Sequence, residues 1–308
     1  MQVQFDIEKT RKLVRSRKRW DVAFAIFGIF GLMIGVLTFV ILFAEMAMLG
    51  FERLGWNFFT SFPSRNAENA GILSAWVGSL SVMFVTAVTA VPLGVSAGVY
   101  LEVYARKNWI TDIIEINVTN LAGVPSIVYG LLALGVFVYA FGFGQSVLSA
   151  GLTLALMILP IVIVATRESI RAIPQHIHEG AYGLGATRWQ VTCDHLVPYS
   201  MPGILTGVII GLSRAIGETA PVITIGALTF IAFLPESPIT ISFPFINFDW
   251  LTSAFTVMPI QMFNWTSRPQ IEFQLNAAAA GFILIVMTLM MNALAIWLRY
   301  RLRKNIKW

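Results

Sequence analysis

The sequence predicts an all-α membrane protein with six transmembrane helices, and three observations carry that prediction. Of 308 residues, 57% are hydrophobic and only 12% charged, with a mean hydropathy of +0.75; a soluble domain averages about 25% charged residues. Charge-free stretches recur at the length a bilayer demands, roughly 20 apolar residues each. Lysine and arginine are concentrated in alternate segments between those stretches, the asymmetry that orients membrane helices.

Taken in order, a basic tail over residues 1–21 precedes the first transmembrane helix, 22–49, which is free of charge from Val22 to Ala44. The tail is long and polar, the apolar stretch is of full spanning length, and no A-x-A site follows. The first helix is therefore expected to stay as a signal anchor. Residues 70–298 read as one core of five further helices. The first of these occupies the charge-free run from Ala70 to Leu101. Between Ile116 and Thr166 no charge occurs, twice the length one span needs, and Phe141–Ser146, with two glycines and a Gln, divides it at a turn. A fifth span follows Pro202, and a sixth runs from about Leu275 to Leu298, ahead of a second basic tail at 299–308.

With both termini inside, the inside segments 1–21, 102–115, 167–200 and 299–308 hold 17 of the 21 basic residues. The outside segments hold only Arg53, Arg65 and Arg268, and Arg214 falls within a span. The pI of 9.5 follows from the two tails. Both flank spans, so they read as anchors beside anionic membrane lipid and no nucleic-acid partner is expected. Cys193 is the only cysteine; no intrachain disulfide can form, and its position in the 167–200 loop marks it as an inert thiol on the reducing side.

Catalytic chemistry has nothing to stand on. The sequence has no G-x-x-x-x-G-K-[ST] phosphate loop, nucleophile elbow, H-E-x-x-H or paired-carboxylate motif. His176, His178 and His195 offer no metal-ligand spacing beyond a weak H-x-H. No catalytic residue, metal site or cofactor is assigned to the chain.

The 167–200 loop has an ordered design. Pro174 suits the first turn of a short helix through about Tyr182, which Gly183 and Gly185 end. Thr187 with Gln190 three residues on forms a capping box that opens a second helix. Pro198 and Pro202 then lead into the fifth span. The run from Glu179 to Ala186 and the later Leu196-Val197-Pro198 resemble the EAA loop of ABC importer permeases, E-A-A-x-x-x-G, nine residues, then I-x-L-P. Glu179, Ala181, Gly185 and Pro198 match at the family spacing, whereas Gly180, His195 and Val197 replace the first Ala, the Ile and the Leu. The resemblance implies that Glu179, Gly180, Ala181, Gly185 and Ala186 belong to a coupling helix that docks on a separate cytoplasmic ATPase dimer. ATP and magnesium would then bind that partner. A surface-lying amphipathic helix is the plainer reading of the same loop.

Arg214 and Glu218 lie four residues apart in a run from Leu196 to Pro235 that carries no other charge. An ionisable group at bilayer depth costs several kcal/mol and usually serves transport or ligand handling. At this spacing both side chains are expected on one helix face, some 18 Å beyond Pro202 at about 1.5 Å per residue. The planar guanidinium fork suits phosphate-like oxyanions, and a neighbouring carboxylate holds it when the anion is absent. A purely structural ion pair between helices is the competing reading.

The surrounding Arg214-Ala215-Ile216-Gly217-Glu218-Thr219-Ala220-Pro221 closely resembles the A-type permeases of phosphate ABC transporters (PstA type). Residues 255–270 and 292–298 extend the resemblance. It implies a type I ABC importer permease (MetI-like) bundle in the prokaryotic plasma membrane, with Arg214, Glu218 and Thr219 on the substrate pathway. It also implies a second, C-type permease completing the pathway, an extracytoplasmic phosphate-binding protein, and inorganic phosphate as substrate. A C-type subunit, a permease for another oxyanion, and an ion-gradient-driven secondary transporter or channel remain alternatives; inverted repeats with broken helices would favour the last. Glycines at 203, 207 and 211, and at 94 and 98, recur every four residues and predict close helix contacts. Pro92, Pro125, Pro160 and Pro221 are candidate kinks or plain membrane-helix prolines. The segment 232–274, rich in Pro and aromatics, is either an interfacial belt or a cap on the outer gate.

Overall fold

The computed structural model describes residues 7–238 and 247–303, and every regular element among them is helical. The chain forms two compact units, one ending at Leu49 and one starting at Gly50. Residues 239–246, part of the expected outer segment, lie outside the described residues, as do the ends of both basic tails.

The first unit is almost entirely helix α1 (Ile7–Gly50). Its large apolar side chains from Val22 to Leu42 are exposed around the whole circumference. A helix apolar on all sides requires an apolar solvent, and Thr38 gives its hydroxyl to the Ile34 carbonyl rather than to water.

The second unit begins with α2 (Trp56–Thr60) and α3 (Leu73–Val99), which ends in a π-helical turn over 100–104. Next come α4 (Trp109–Leu121), α5 (Ser126–Ala133) with a π-helical continuation to Ala140, and α6 (Val147–Arg171). Helices α7 (Gln175–Gly183), α8 (Arg188–Gln190) and α9 (Val197–Gly217) follow, then α10 (Ala220–Ile225), α11 (Met258–Thr266) and α12 (Ile271–Arg303). Five stretches among the described residues are long and apolar enough to cross a membrane, and α4 with α5 and its continuation makes a sixth.

Helix α6 is the centre of this unit. Gly94 and Gly98 of α3 lie against its Val162 and Thr166, while Gly203, Gly207 and Gly211 of α9 lie against Ser169, Ala165 and Ile158. Both small-residue stripes are therefore used within the chain, letting backbones approach where a larger residue would hold them apart. The main core joins Val82, Val85, Leu154, Ile158, Ala215, Ile216, Val222 and Phe255. At one end Arg53 donates from Nε to Asn276 Oδ1 at 2.6 Å, and Asn276 Nδ2 donates to the Ala67 carbonyl at 2.9 Å, tying the start of this unit to α12.

Three features differ from the sequence expectation. The third span starts at Trp109, inside the expected 102–115 loop, and is bent by 106° between α4 and α5. Pro125 explains the bend, because its ring disfavours helical geometry at Val124. The second helix of the 167–200 loop is not separate: α8 runs through a π-helical stretch over 191–196 directly into α9, so the fifth span begins well before Pro202. Finally, part of the 232–274 segment is core rather than belt or loose cap. Phe255, Met258, Ile260 and Trp265 are buried, and the Met258 amide donates to Ser79 Oγ at 2.8 Å.

Candidate functional site

Arg214 occupies the last turn of α9, which ends at Gly217. Glu218 is not helical; it has extended geometry (φ −77°, ψ 123°), so the two residues do not share one continuous helix face as their spacing suggested. Pro221 supplies the reason. It has no N–H to offer the Gly217 carbonyl, and its ring crowds that carbonyl, which favours a break here and a restart as α10. The carboxylate nevertheless turns back, and Arg214 Nε donates to Glu218 Oε1 at 3.2 Å. Their side chains are 37% and 21% exposed. Only one carboxylate oxygen and one guanidinium nitrogen engage, which leaves much of the fork's donor capacity for another oxyanion.

The elements around the pair are tightly keyed. Ser213 Oγ donates to Asn292 Oδ1 of α12, and Arg299 Nη1 donates to Thr206 Oγ1 at 2.9 Å, so α12 grips α9 on either side of its midpoint. Helix α5 packs on α10 through Gly130, whose missing side chain makes room for Pro221 and the Thr224 hydroxyl. Tyr129 beside it gives its hydroxyl to the Leu121 carbonyl at 2.8 Å, bridging the break between α4 and α5. Thr219 sits between Glu218 and α10, and its carbonyl accepts from the Ile223 amide at 3.0 Å.

At the far end of α9 the 175–190 segment forms the expected short helices. Thr187 accepts from the Gln190 amide while Gln190 Oε1 accepts from the Thr187 amide at 2.8 Å, a reciprocal capping box. Gly185 has φ +86°; its amide donates to the Tyr182 carbonyl, and the Ala186 amide donates to the Ala181 carbonyl. This pair of bonds is a Schellman motif, which needs a residue in the left-handed conformation just past the helix. Ala181 is buried in one small cluster with Ile170, Ile173, Val191 and Leu196, and Ala186 packs against it partly buried. Glu179 and Gly180 are exposed. So are Leu184, at 91%, and Trp189, at 70%, two large apolar side chains on either side of the turn between α7 and α8.

Sequence reasoning missed one cluster. Arg167 and Arg171 of α6 meet Glu102 from the turn after α3, Glu115 of α4 and Glu168. Arg167 is only 5% exposed. The two arginines register in the sequence only as topology anchors, and the carboxylates are too distant along the chain to be paired with them. The one available signal was the presence of three acidic residues, Glu102, Asp112 and Glu115, in a short segment otherwise expected to be positive.

Five candidate spans and a bent sixth, packed around α6, define a helical membrane protein that crosses the bilayer several times. Residues 90–308 match the family described as binding-protein-dependent transport system inner membrane component. The chain is 30% identical to the phosphate transport system permease protein PstA of Yersinia pestis, over 95% of this chain and 97% of that one. It is 31% identical to PstA 1 of Mycobacterium tuberculosis, covering 75% and 71%. Among solved structures, a chain of a bacterial ABC transporter involved in alginate import shares the fold, with a TM-score of 0.60 at 15% identity over 94% of this chain and 99% of that one. The chain belongs to the binding-protein-dependent transport system inner membrane component family and is similar to PstA-type phosphate permeases.

Proposed function

We propose that the chain is the A-type transmembrane subunit of an ATP-driven inorganic phosphate importer. Arg214, Glu218 and Thr219 form the anion-handling part of its pathway. The observation that carries this reading is the partly exposed Arg214–Glu218 pair at the α9–α10 break, in a chain similar to PstA permeases. Phosphate leaving water needs strong donors, which the guanidinium fork supplies. Glu218 then neutralises Arg214 between transport events, avoiding an unpaired charge in a low-dielectric site.

The pair stays partly exposed in the single subunit; a second, C-type permease completes the pathway, and an extracytoplasmic phosphate-binding protein delivers the anion. Glu179, Gly180, Ala181, Gly185 and Ala186 build the coupling helix, with exposed Leu184 and Trp189 as apolar anchors for the ATPase. ATP and magnesium bind that ATPase dimer, and the permease itself hydrolyses nothing. Both termini and the coupling loop lie in the cytoplasm on this reading, which the distribution of lysine and arginine supports. The test is reconstitution of the chain with its partner permease and ATPase in proteoliposomes containing the binding protein. Phosphate uptake should require ATP and ignore the proton or sodium gradient; uptake that follows an ion gradient without ATP would overturn the proposal.

A further inference from the structure

We propose that Glu102, Arg167 and Glu115 form a latch that holds α4 against α6 and carries movement of the coupling loop to the Arg214–Glu218 pair. The inference rests on the importer reading above and assigns Arg167 and Glu115 as positioning residues for transport.

Arg167 is nearly fully buried, and its Nη2 lies 2.6 Å from Glu115 Oε1. Its Nε lies 3.6 Å from Glu102 Oε2, an electrostatic contact too long for a hydrogen bond, and that nitrogen has no hydrogen-bond partner. Glu102 is meanwhile held by Arg171, at 2.8 Å from Nη2 and 3.1 Å from Nε. Arg167 is thus committed to Glu115 and only poised towards Glu102. Should Glu115 withdraw, a small movement brings Arg167 onto Glu102 without stranding a buried charge. Two arrangements of one buried arginine make a switchable element.

Each carboxylate belongs to a different moving part. The turn bearing Glu102 packs Val99 and Val103 against Ile170, Ile173, Ala181, Val191 and Leu196, the cluster beneath the coupling helix. Its Tyr104 hydroxyl also lies 3.3 Å from Thr192 Oγ1. Glu115 belongs to α4, which has no buried residue and packs chiefly on α6. The Arg167 pair is thus a principal tie of α4 to the bundle. Beyond α4 come the break at 122–125, then α5 and its Gly130 seat on Pro221, just past Glu218. Coupling helix, triad, bent span and the segment that follows the anion-handling pair thus lie along one series of packed elements.

The test uses the full complex in proteoliposomes, comparing the unaltered chain with Glu115→Gln and Glu115→Asp. Three quantities are read: assembly, ATP hydrolysis and phosphate taken up per ATP. A fourth is the distance between spin labels at Ile113→Cys and Ala172→Cys in a Cys193→Ser background, without nucleotide and with ATP. The latch predicts that Glu115→Gln still assembles and hydrolyses ATP while uptake per ATP falls by about tenfold, within the range that coupling energies span. Its label distance should no longer respond to ATP, and Glu115→Asp should recover much of the ratio. A merely structural triad would lower the yield of complex and leave uptake per ATP unchanged; that outcome, or a label distance as responsive as in the unaltered chain, overturns the latch. Absence of ATP-driven uptake in the unaltered complex would instead overturn the importer reading, and the latch with it.

Discussion

Gly130→Ala is the smallest change that should separate positioning from stability. A Cβ at Gly130 would lie 2.7 Å from Pro221 Cα and 2.8 Å from the Pro221 carbonyl oxygen, where carbon contacts normally sit at about 3.5–4.0 Å. Both contacts are backbone, so no rotamer change relieves them, and α5 and α10 must separate by about 1 Å. Overpacking of this kind costs about 1–3 kcal/mol, while alanine in place of glycine in a helix returns about 1 kcal/mol. The net loss, about 0–2 kcal/mol, is less than the stability of a typical domain, so the chain should still fold and assemble. The displacement falls on the residues that follow Glu218. Sites that depend on alignment lose up to about 10²-fold for a shift of about 1 Å, so uptake should fall by about tenfold or more. The assay is labelled-phosphate uptake by the reconstituted complex, alongside its thermal unfolding. Unchanged uptake, or a loss that only tracks the amount of assembled complex, would refute the reasoning.

Glu218→Gln should change thermal stability by no more than about 1 kcal/mol, because a partly exposed pair contributes little net energy, yet it should strongly impair uptake; a large fall in melting temperature would favour a structural pair. Gly185→Val places a β-branched residue at φ +86°, a strain of about 1–3 kcal/mol that undoes the Schellman turn; co-purification with the ATPase should drop while the chain still inserts. Leu184→Asp, at a side chain with no role in the chain's own core, should leave stability unaltered and weaken ATPase binding by about 2 kcal/mol if it is an anchor, measured by titrating the ATPase onto nanodisc-embedded complex.

Local signals in the sequence were legible because their chemistry closes within a few residues. Thr187 and Gln190 form the capping box that their spacing announces, and Pro174 and Gly185 bound α7 as turn chemistry requires. The two glycine stripes fall where close helix contacts occur. Prolines show the limit of such signals: Pro92 and Pro160 stay inside their helices, whereas Pro125 and Pro221 stand at breaks. What separates them is the packing that accepts the bend, which no local window contains. The same limit hid the end of α9, since a four-residue spacing implies one face only while the helix continues. The Glu102–Arg167–Glu115 triad joins three separate elements, and Phe255 to Trp265 enter the core from a stretch whose composition looks like a surface loop; both depend on tertiary contacts alone.

The central claim is that Arg214 handles the transported anion. Its most direct test is ATP-dependent phosphate uptake by the reconstituted complex carrying Arg214→Gln, with assembly and ATP hydrolysis measured on the same preparation. The account predicts an assembled, ATP-hydrolysing complex whose uptake falls to background, partly restored in Arg214→Lys, which keeps the charge but loses the fork. Arg214→Gln transporting phosphate at the unaltered rate would contradict it.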